Sequence, residues 1–585
     1  MSLCCVSLQI CVFYTFRQPC LLATHKNRKN LKQTFRMIDI WRKKFILSDS
    51  EQPTTVEAIR PTESNYEVLD AKTFEAIEAE TLFHTINQTQ TESGRLTLYR
   101  SIARPNQNAE ILQQKQMALL EMESDPQLYD AITKFVSKAT SGEKSLKYLL
   151  YGEFVGGLTT EEPSSRTDKL EFGGYGYRQY VDGTEFAVDL VEGAAQIPQP
   201  QSAYLRALLD AFRDFGRSRT YALMKGPVYV SGSKFKSKKE KSVFDLFSRF
   251  RPSLFKLIPI AIFFAASYGI LFFFENFMPQ FNVSYIGYGI LALTVPVFPI
   301  LLLAMGVSDR DSIIYPLRKQ FRESPDLPKA IEALGMLDEL LSFCRYGQSL
   351  TGGKVLPQIL DEKQHRLTVS QARNPLLVRT IPDYVPNDIH LDQAGRVLII
   401  TGPNSGGKTA YCKTVVQIQL LGQIGCYIPA TQGQLVPAER LYYQVPDPGQ
   451  LSAAMGRFGH ELQRTKEIFF NATPLSLVVL DELSEGTTFE EKMTISEYIL
   501  KGFHKLGAST LLVTHNHELC ELLQKDGIGR YLQVEFMPQG PTHRMIEGIS
   551  KVSHADRVAS AIGFSQKDVE AHLERHVESR HDVSG

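Results

Sequence analysis

The chain has 585 residues, with 64 Lys+Arg against 64 Asp+Glu, so its formal charge is zero. That balance excludes a globally basic nucleic-acid coat and an acidic disordered tail. The length accommodates about four domains, and 43% hydrophobic with 22% charged residues is the composition of a chain that folds around real cores.

Residues 1–36 contain no Asp or Glu, but carry Arg17, Lys26, Arg28, Lys29, Lys32 and Arg36. The apolar stretch precedes the basic one, the reverse of a secretory signal. A transit peptide fits; a disordered extension upstream of Met37 fits the composition better. Four of the 8 Cys (Cys4, Cys5, Cys11, Cys20) fall in this segment. Cys344, Cys412, Cys426 and Cys520 are scattered without metal-ligand spacing. That excludes a disulfide scaffold and a zinc finger, and suits a reducing compartment.

Residues 37–230 read as the first part of a helical core or lever domain. "AKTFEAIEAETLFHTI" and "NAEILQQKQMALLEME" place apolar residues three and four apart. Residues 165–198 are Gly-rich and read as loop and short strand. "QSAYLRALLDAFRDFG" reads as a further helix.

Residues 231–312 read as a basic flank followed by a transmembrane hairpin. Lys234, Lys236, Lys238, Lys239, Lys241, Arg249, Arg251 and Lys256 stand against Glu240 and Asp245. Leu257 to Phe274 carries no charge, nor does Asn276 to Ser308. Uncharged runs of this length read as spanning helices, here about 257–274 and 283–307. Basic residues flank both outer ends and none lies in the link. The positive-inside rule therefore puts both outer ends, and the domain that follows, on the cytoplasmic side, with membrane lipid contacting residues 257–307.

Residues 313–354 return as a lever helix. From 355 to 530 short apolar strands alternate with helices, the pattern of a parallel α/β sheet. "VLIITGPNSGGKT" (397–409) is a strand followed by Gly402-x-x-x-x-Gly407-Lys408-Thr409, the phosphate-loop pattern in its required context. Backbone N–H groups of such a loop curl around phosphate at a helix N-terminus. Lys408 would reach the terminal phosphates and Thr409 would hold Mg²⁺. "LSLVVLDE" adds Asp481 for the metal and Glu482 to orient the attacking water. "STLLVTH" ends at His515, placed to sense the terminal phosphate. ATP and Mg²⁺ are the expected cofactors. The fold class is thus a P-loop α/β NTPase domain plus an all-α lever domain carrying a two-helix hairpin.

These motifs, in this order, resemble the MutS family of DNA mismatch-repair ATPases. The resemblance covers most of residues 70–145 and 320–570. It implies a dimer with composite ATP sites. Gly402, Pro403, Asn404, Ser405, Gly406, Gly407, Lys408 and Thr409 fall on the family's phosphate loop, and Val385 to Asn387 on the loop beside its adenine. Asp481 and Glu482 fall on the metal and hydrolytic carboxylates, and His515 on the switch histidine. Phe458, Glu461, Thr487 and Thr488 fall on segments that face the partner subunit. The family's trans-acting serine has no counterpart in Gly456-Arg457-Phe458-Gly459-His460-Glu461. Residues 531–585 include "GISKVSHADRVASAIGF", similar to the family's C-terminal helical dimerisation segment. The hairpin stands where the family inserts its DNA-clamping domain, and no stretch ahead of the helical core supplies a mismatch-reading aromatic. The implied function is a membrane-anchored ATPase whose dimer closure drives helical levers, with DNA binding by resemblance. The alternative is a nucleotide-gated membrane scaffold acting on an unidentified protein partner.

Overall fold

The computed structural model describes residues 59–61, 67–154, 175–242, 247–253, 256–277, 283–381, 383–402, 406–446, 456–483, 489–537, 540–550 and 562–581. The expected extension over residues 1–36 and most of "GISKVSHADRVASAIGF" lie outside them. Two compact units divide the chain.

Among the described residues, the first unit comprises Thr89–Thr97 and Leu120–Leu341. It contains the N-terminal part of α3 (Glu92–Ala103), the end of α4 (Ala109–Ser124), and α5 (Pro126–Tyr151), α6 (Tyr177–Ala194), α7 (Ala203–Arg217) and α8 (Arg219–Lys225). A small antiparallel sheet follows: β1 (Tyr229–Ser231), β2 (Lys234–Lys236) and β3 (Ser248–Arg249), in the order β2-β1-β3. Then come α9 (Leu257–Phe277), α10 (Val283–Asp309), α11 (Tyr315–Glu323) and most of α12 (Leu327–Ser349). A single π turn, Arg310–Ile314, joins α10 to α11.

Sequence predicts loop and short strand over 165–198; the structure has the 18-residue helix α6 there. Glycine lowers helix propensity by about 1 kcal/mol, which misleads a local reading. Here the glycines serve close packing on α5. A Cβ on Gly183 would lie 2.7 Å from Leu149 Cβ, and one on Gly142 would lie 2.2 Å from Phe186. Two buried carboxylates fasten the start of α3. Asp338 of α12 accepts from the Gln90 and Thr91 amides and the Thr91 hydroxyl, at 2.7–3.1 Å. Glu143 of α5 accepts from the Glu92 and Ser93 amides at 2.7 and 2.8 Å. These bonds satisfy helix-terminal donors that would otherwise be buried and unpaired.

Helices α9 and α10 form an antiparallel pair. Phe263 and Phe264 both meet Phe298 at 5.7 Å, and Lys256 Nζ lies 2.8 Å from Asp309 Oδ1 at the open end. The window Ile260–Phe277 has mean hydropathy 1.7 and none of it is buried. Ile262, Phe264, Tyr268 and Phe277 are all more than half exposed. The basic stretch ahead of this pair, expected only as a flank, partly folds as β1–β3.

The second unit comprises Ile59–Gln88, Leu98–Leu119 and Ser342–Gly585. Its six-stranded sheet runs β13-β12-β7-β11-β10-β9. These are β7 (Val397–Thr401), β9 (Arg440–Gln444), β10 (Ser476–Asp481), β11 (Ser509–Val513), β12 (Arg530–Met537) and β13 (Gly540–Glu547). All neighbours pair in parallel except the β12–β13 hairpin. The expected domain boundary at 530 therefore moves: Arg530–Met537 and Gly540–Glu547 are two strands of this sheet, not part of a helical tail. Every residue of β7, β10 and β11 is buried, as strands covered on both faces require. One face packs on α14 (Gly456–Asn471), α15 (Phe489–Leu506) and α16 (His517–Lys525) through Ile468, Leu500, Phe503 and Leu519. Helix α13 (Lys408–Gln423) is buried along nearly its whole length. Its buried Gln417 and Gln419 donate to the carbonyls of Ile77 and Val436 at 2.8 and 3.0 Å. The first of these bonds ties α1 (Ala71–Ala76) and α2 (Ala79–Ile86) into this unit, although the helical pattern alone assigned them to the lever domain. A second sheet, in the order β4-β8-β5-β6, is formed by Gln358–Ile359, Gln432–Leu435, Leu367–Ala372 and Asn387–Leu391.

Replacing Gly183 by Val should cost about 1–3 kcal/mol, because the new branches meet Leu149 and the Ser145 carbonyl. Thermal melting of the two proteins checks this, and an unchanged midpoint would contradict the packing described.

Candidate functional site

The site sits beyond the C-terminal ends of β7, β10 and β11, where open parallel sheets bind ligands. The register sets it. Asp481 is the partner of Val513 across β10–β11, and Val513 is the partner of Ile400 across β11–β7. The residues that follow the three strands therefore emerge side by side.

After β7 the chain turns at Gly402 and enters α13 through Gly406 and Gly407. Gly407, at φ +88°, occupies the left-handed region and precedes the first helical residue. Gly406 is required by crowding, since a Cβ there would lie 2.7 Å from Val534 of β12. Lys408, 2% exposed, turns its ammonium back to donate to the Gly402 carbonyl. Burial pushes its pKa down, and the nearby Glu482 and Asp481 charges oppose that. Pro403, Asn404 and Ser405 lie outside the described residues.

Asp481 ends β10. Burial raises its pKa and the adjacent Glu482 charge adds to this, while hydrogen bonds from Thr409 and Tyr443 and the Lys408 charge pull it down. The Tyr443 hydroxyl donates to Asp481 Oδ2 at 3.3 Å. The Thr409 hydroxyl and the Asp481 carboxylate thus form a contiguous pair of hard oxygen ligands, the type Mg²⁺ takes. Among the described residues no group of three or more His, Cys, Asp or Glu gathers as a metal cluster. A two-ligand site suits Mg²⁺, which keeps waters and substrate phosphate oxygens in its shell.

Glu482 adopts φ +61°, an unusual conformation for a non-glycine residue and one that costs of order 1 kcal/mol or more. Its amide donates to the Val513 carbonyl at 3.1 Å, which anchors the strained turn. The turn brings Glu482 Oε1 to 2.9 Å from His515 Nε2. His515 lies two residues past the end of β11 and is about half exposed. Carboxylate and imidazole therefore face each other at the open mouth of the site.

Val385 and Asn387, expected beside the adenine, lie at the start of β6. The Asn387 side chain is engaged by the backbone: its Nδ2 donates to the His543 carbonyl at 3.0 Å, and its Oδ1 accepts from the Met545 amide at 2.7 Å. It knits β6 to β13, with Val385 two residues ahead of it. This brings His543, itself at φ +60°, against the phosphate loop, with Nδ1 3.3 Å from where a Gly407 Cβ would stand. Phe458 is partly buried and Glu461 is buried. The Glu461 carbonyl accepts from Gln444 Nε2 and Thr465 Oγ1 at 3.2 and 2.9 Å, so this segment is packed into its own chain. Thr487 and Thr488 lie outside the described residues. A cavity of about 510 Å³ lined by Asn387, Asp388, Tyr411, Arg530, Arg544 and Met545 excludes Lys408, Asp481 and Glu482.

Sequence reasoning did not find Tyr443 or His543. Tyr443 follows from sheet order alone, as β9 neighbours β10 and Val479 pairs with it. His543 carries no local signal.

A parallel sheet, a glycine turn opening a buried-lysine helix, and a paired Thr and Asp beside it define an α/β NTPase domain of the P-loop class. Comparison with known proteins narrows this. Residues 398–576 match the family model MutS domain V. The chain is 30% identical over 252 residues to the DNA mismatch repair protein MutS of Caldicellulosiruptor saccharolyticus, covering 41% of this chain and 29% of that protein. It is 32% identical over 210 residues to the MutS of Oceanobacillus iheyensis (35% and 24%), and 33% over 204 residues to that of Desulforamulus reducens (34% and 23%). The matched stretch spans less than a third of each of these relatives. The similarity to MutS is thus carried by the C-terminal part of the chain, residues 398–576 matching its domain V.

Asp481→Asn should stabilise the ligand-free protein at neutral pH. A carboxyl with a folded pKa above its unfolded value destabilises the fold once pH exceeds the unfolded value. The gain in melting temperature should therefore shrink as pH falls through the ordinary carboxylate range. A gain that grew on acidification would contradict the burial argument.

Proposed function

We propose that this chain is a membrane-anchored MutS-type ATPase that hydrolyses ATP with Mg²⁺ and acts on DNA. The observation that supports the reading most is the adjacency of Lys408, Thr409–Asp481 and Glu482–His515 at neighbouring strand ends. Each has one task. Lys408 lies beside the loop that would cradle the phosphates and gives its ammonium to them in place of the Gly402 carbonyl. Thr409 and Asp481 hold Mg²⁺, which supplies charge neutralisation at the phosphates when bound. Glu482 orients water and accepts its proton, and His515 at 2.9 Å fixes that carboxylate and registers the terminal phosphate. Phosphoryl transfer needs little beyond positioning and charge, so this set suffices.

ATP binding closes a homodimer and hydrolysis reopens it. Helices α3, α4 and α12 have residues in both compact units, so they are the levers that carry the change. The apolar pair α9–α10 is the anchor, with both outer ends on the cytoplasmic side. Exposed Ile262, Phe264, Tyr268 and Phe277 support this, because such a face in water would be costly. DNA enters from the relatives, which are DNA mismatch repair proteins.

The full chain should hydrolyse ATP only with Mg²⁺. Glu482→Ala should retain ATP binding while turnover falls by roughly 10²–10⁴; equal turnover would remove Glu482 from the mechanism. DNA binding should weaken steeply as salt rises in gel-shift titration, since phosphate contacts release counterions. No binding at low salt, with ATPase activity intact, would leave a protein partner as the target instead.

A further inference from the structure

The small sheet β1–β3 has two chemically different faces. Residues opposite one another across strands share a face. Tyr229 pairs with Lys236 on one side and with Arg249 on the other, so Lys236, Tyr229 and Arg249 form one row. Lys234 and Ser231, two residues along, lie on the same face. The opposite row is Phe235, Val230 and Ser248, and Phe235 is only 3% exposed. Phe235 anchors the second face inward while Ser248 at its edge is exposed, and the first face presents cations around an aromatic ring.

The turn after β2 adds to this. Lys241 Nζ stands 4.3 Å from the Tyr229 ring centroid, and Lys236 Nζ stands 4.8 Å from that of Phe247. Lys238, Lys239 and Arg251 are exposed. Glu240 is itself paired with Arg219, whose Nε lies 2.5 Å away. At membrane interfaces aromatic rings sit at headgroup depth and lysine ammonium groups reach lipid phosphate, and this face supplies both groups side by side.

The location fixes the occupant. β3 ends at Arg249, eight residues before α9 begins at Leu257. That chain reaches at most about 28 Å fully extended. Lys256 is bonded to Asp309, the last residue of α10, and Tyr177 Oη donates to the same carboxylate at 2.5 Å. Tyr180, one turn along α6 from Tyr177, packs its ring 5.6 Å from that of Phe250, the residue after β3, so the joined outer ends of the apolar pair lie near the sheet's exit. A cationic face at that level meets the lipid surface into which α9 would run.

We infer that the Lys234–Lys236–Tyr229–Arg249 face is a binding site for anionic phospholipid headgroups. The inference rests on the membrane reading of α9–α10 and adds to it a preference for acidic lipid. Nucleic-acid phosphate is the competing occupant, and continuity with the exposed apolar helix favours lipid.

The test uses the full chain purified in mixed micelles with equal phosphatidylglycerol and phosphatidylcholine, with retained lipids counted by native mass spectrometry. The wild type should retain phosphatidylglycerol by about tenfold over phosphatidylcholine. The triple variant K234S/K236S/R249S should approach parity, at up to roughly fivefold lost per cation. K234R/K236R/R249K should keep the preference, which separates charge from folding. Equal retention of both lipids by the wild type would overturn the site, as would a preference surviving in the serine variant. So would displacement of phosphatidylglycerol by a short DNA duplex that the wild type binds and the serine variant does not. Flotation with vesicles of pure phosphatidylcholine reads the anchor separately: wild type and serine variant should float alike at high salt. Failure to float would strike the membrane reading, whereas flotation without lipid preference would strike only this site.

Discussion

The pairing of β7, β11 and β10 is the constraint on which the second unit depends. Val513 stands between Ile400 and Asp481 in a continuous parallel register. A slip of one residue in either ladder would turn Asp481 to the other face of the sheet and separate it from Thr409. The register is held by strands buried on both faces, where a slip would also expose apolar side chains or bury polar ones. The site's precision is therefore a product of core packing rather than of the loops that carry its side chains.

That scaffold tolerates costs at its tip. Glu482 takes a left-handed conformation, Lys408 is buried, and Asp481 is held where burial disfavours its charge. Each would be unfavourable in a structural role alone. Together they place two carboxylates, an ammonium, a hydroxyl and an imidazole within one small volume. A ligand that brings its own negative charge and a divalent cation relieves the unfavourable terms, which gives nucleotide binding a means to alter the fold around it.

Much of this was legible in the residues themselves. The Gly402–Thr409 pattern, the apolar run ending at Asp481 and the strand leading to His515 each carry a local signature, because the chemistry needs those residue types in that order. What lay hidden depends on distant parts of the chain. Helix α6 reads as loop because glycines weaken local propensity, while Gly183 meets Leu149 across a helix interface that no local window contains. The sheet extends through β12 and β13 because Arg530 to Gln533 pair with Leu398 to Thr401, some 130 residues earlier. The Asn387 side chain bonds the His543 and Met545 backbone, a tie between β6 and β13 that no local pattern announces. Glu461 is buried, its carbonyl accepting from Gln444 and Thr465, a packing set by strand and helix neighbours rather than by its own motif. In the first unit, the apolar runs announced α9 and α10 directly. The Lys256–Asp309–Tyr177 junction and the two-faced sheet beside it required the three-dimensional arrangement.

The central claim is that the glycine turn and Lys408 grip the phosphates of a nucleotide. Calorimetric titration of the full chain with ATP and Mg²⁺, beside the Lys408→Met variant, measures this most directly. Binding to the wild type, weakened by about a hundredfold in the variant with the melting temperature retained, is the predicted result. It corresponds to loss of a charge-assisted contact of about 2–3 kcal/mol. Equal affinity in the two proteins, or no heat of binding in the wild type, would contradict the account.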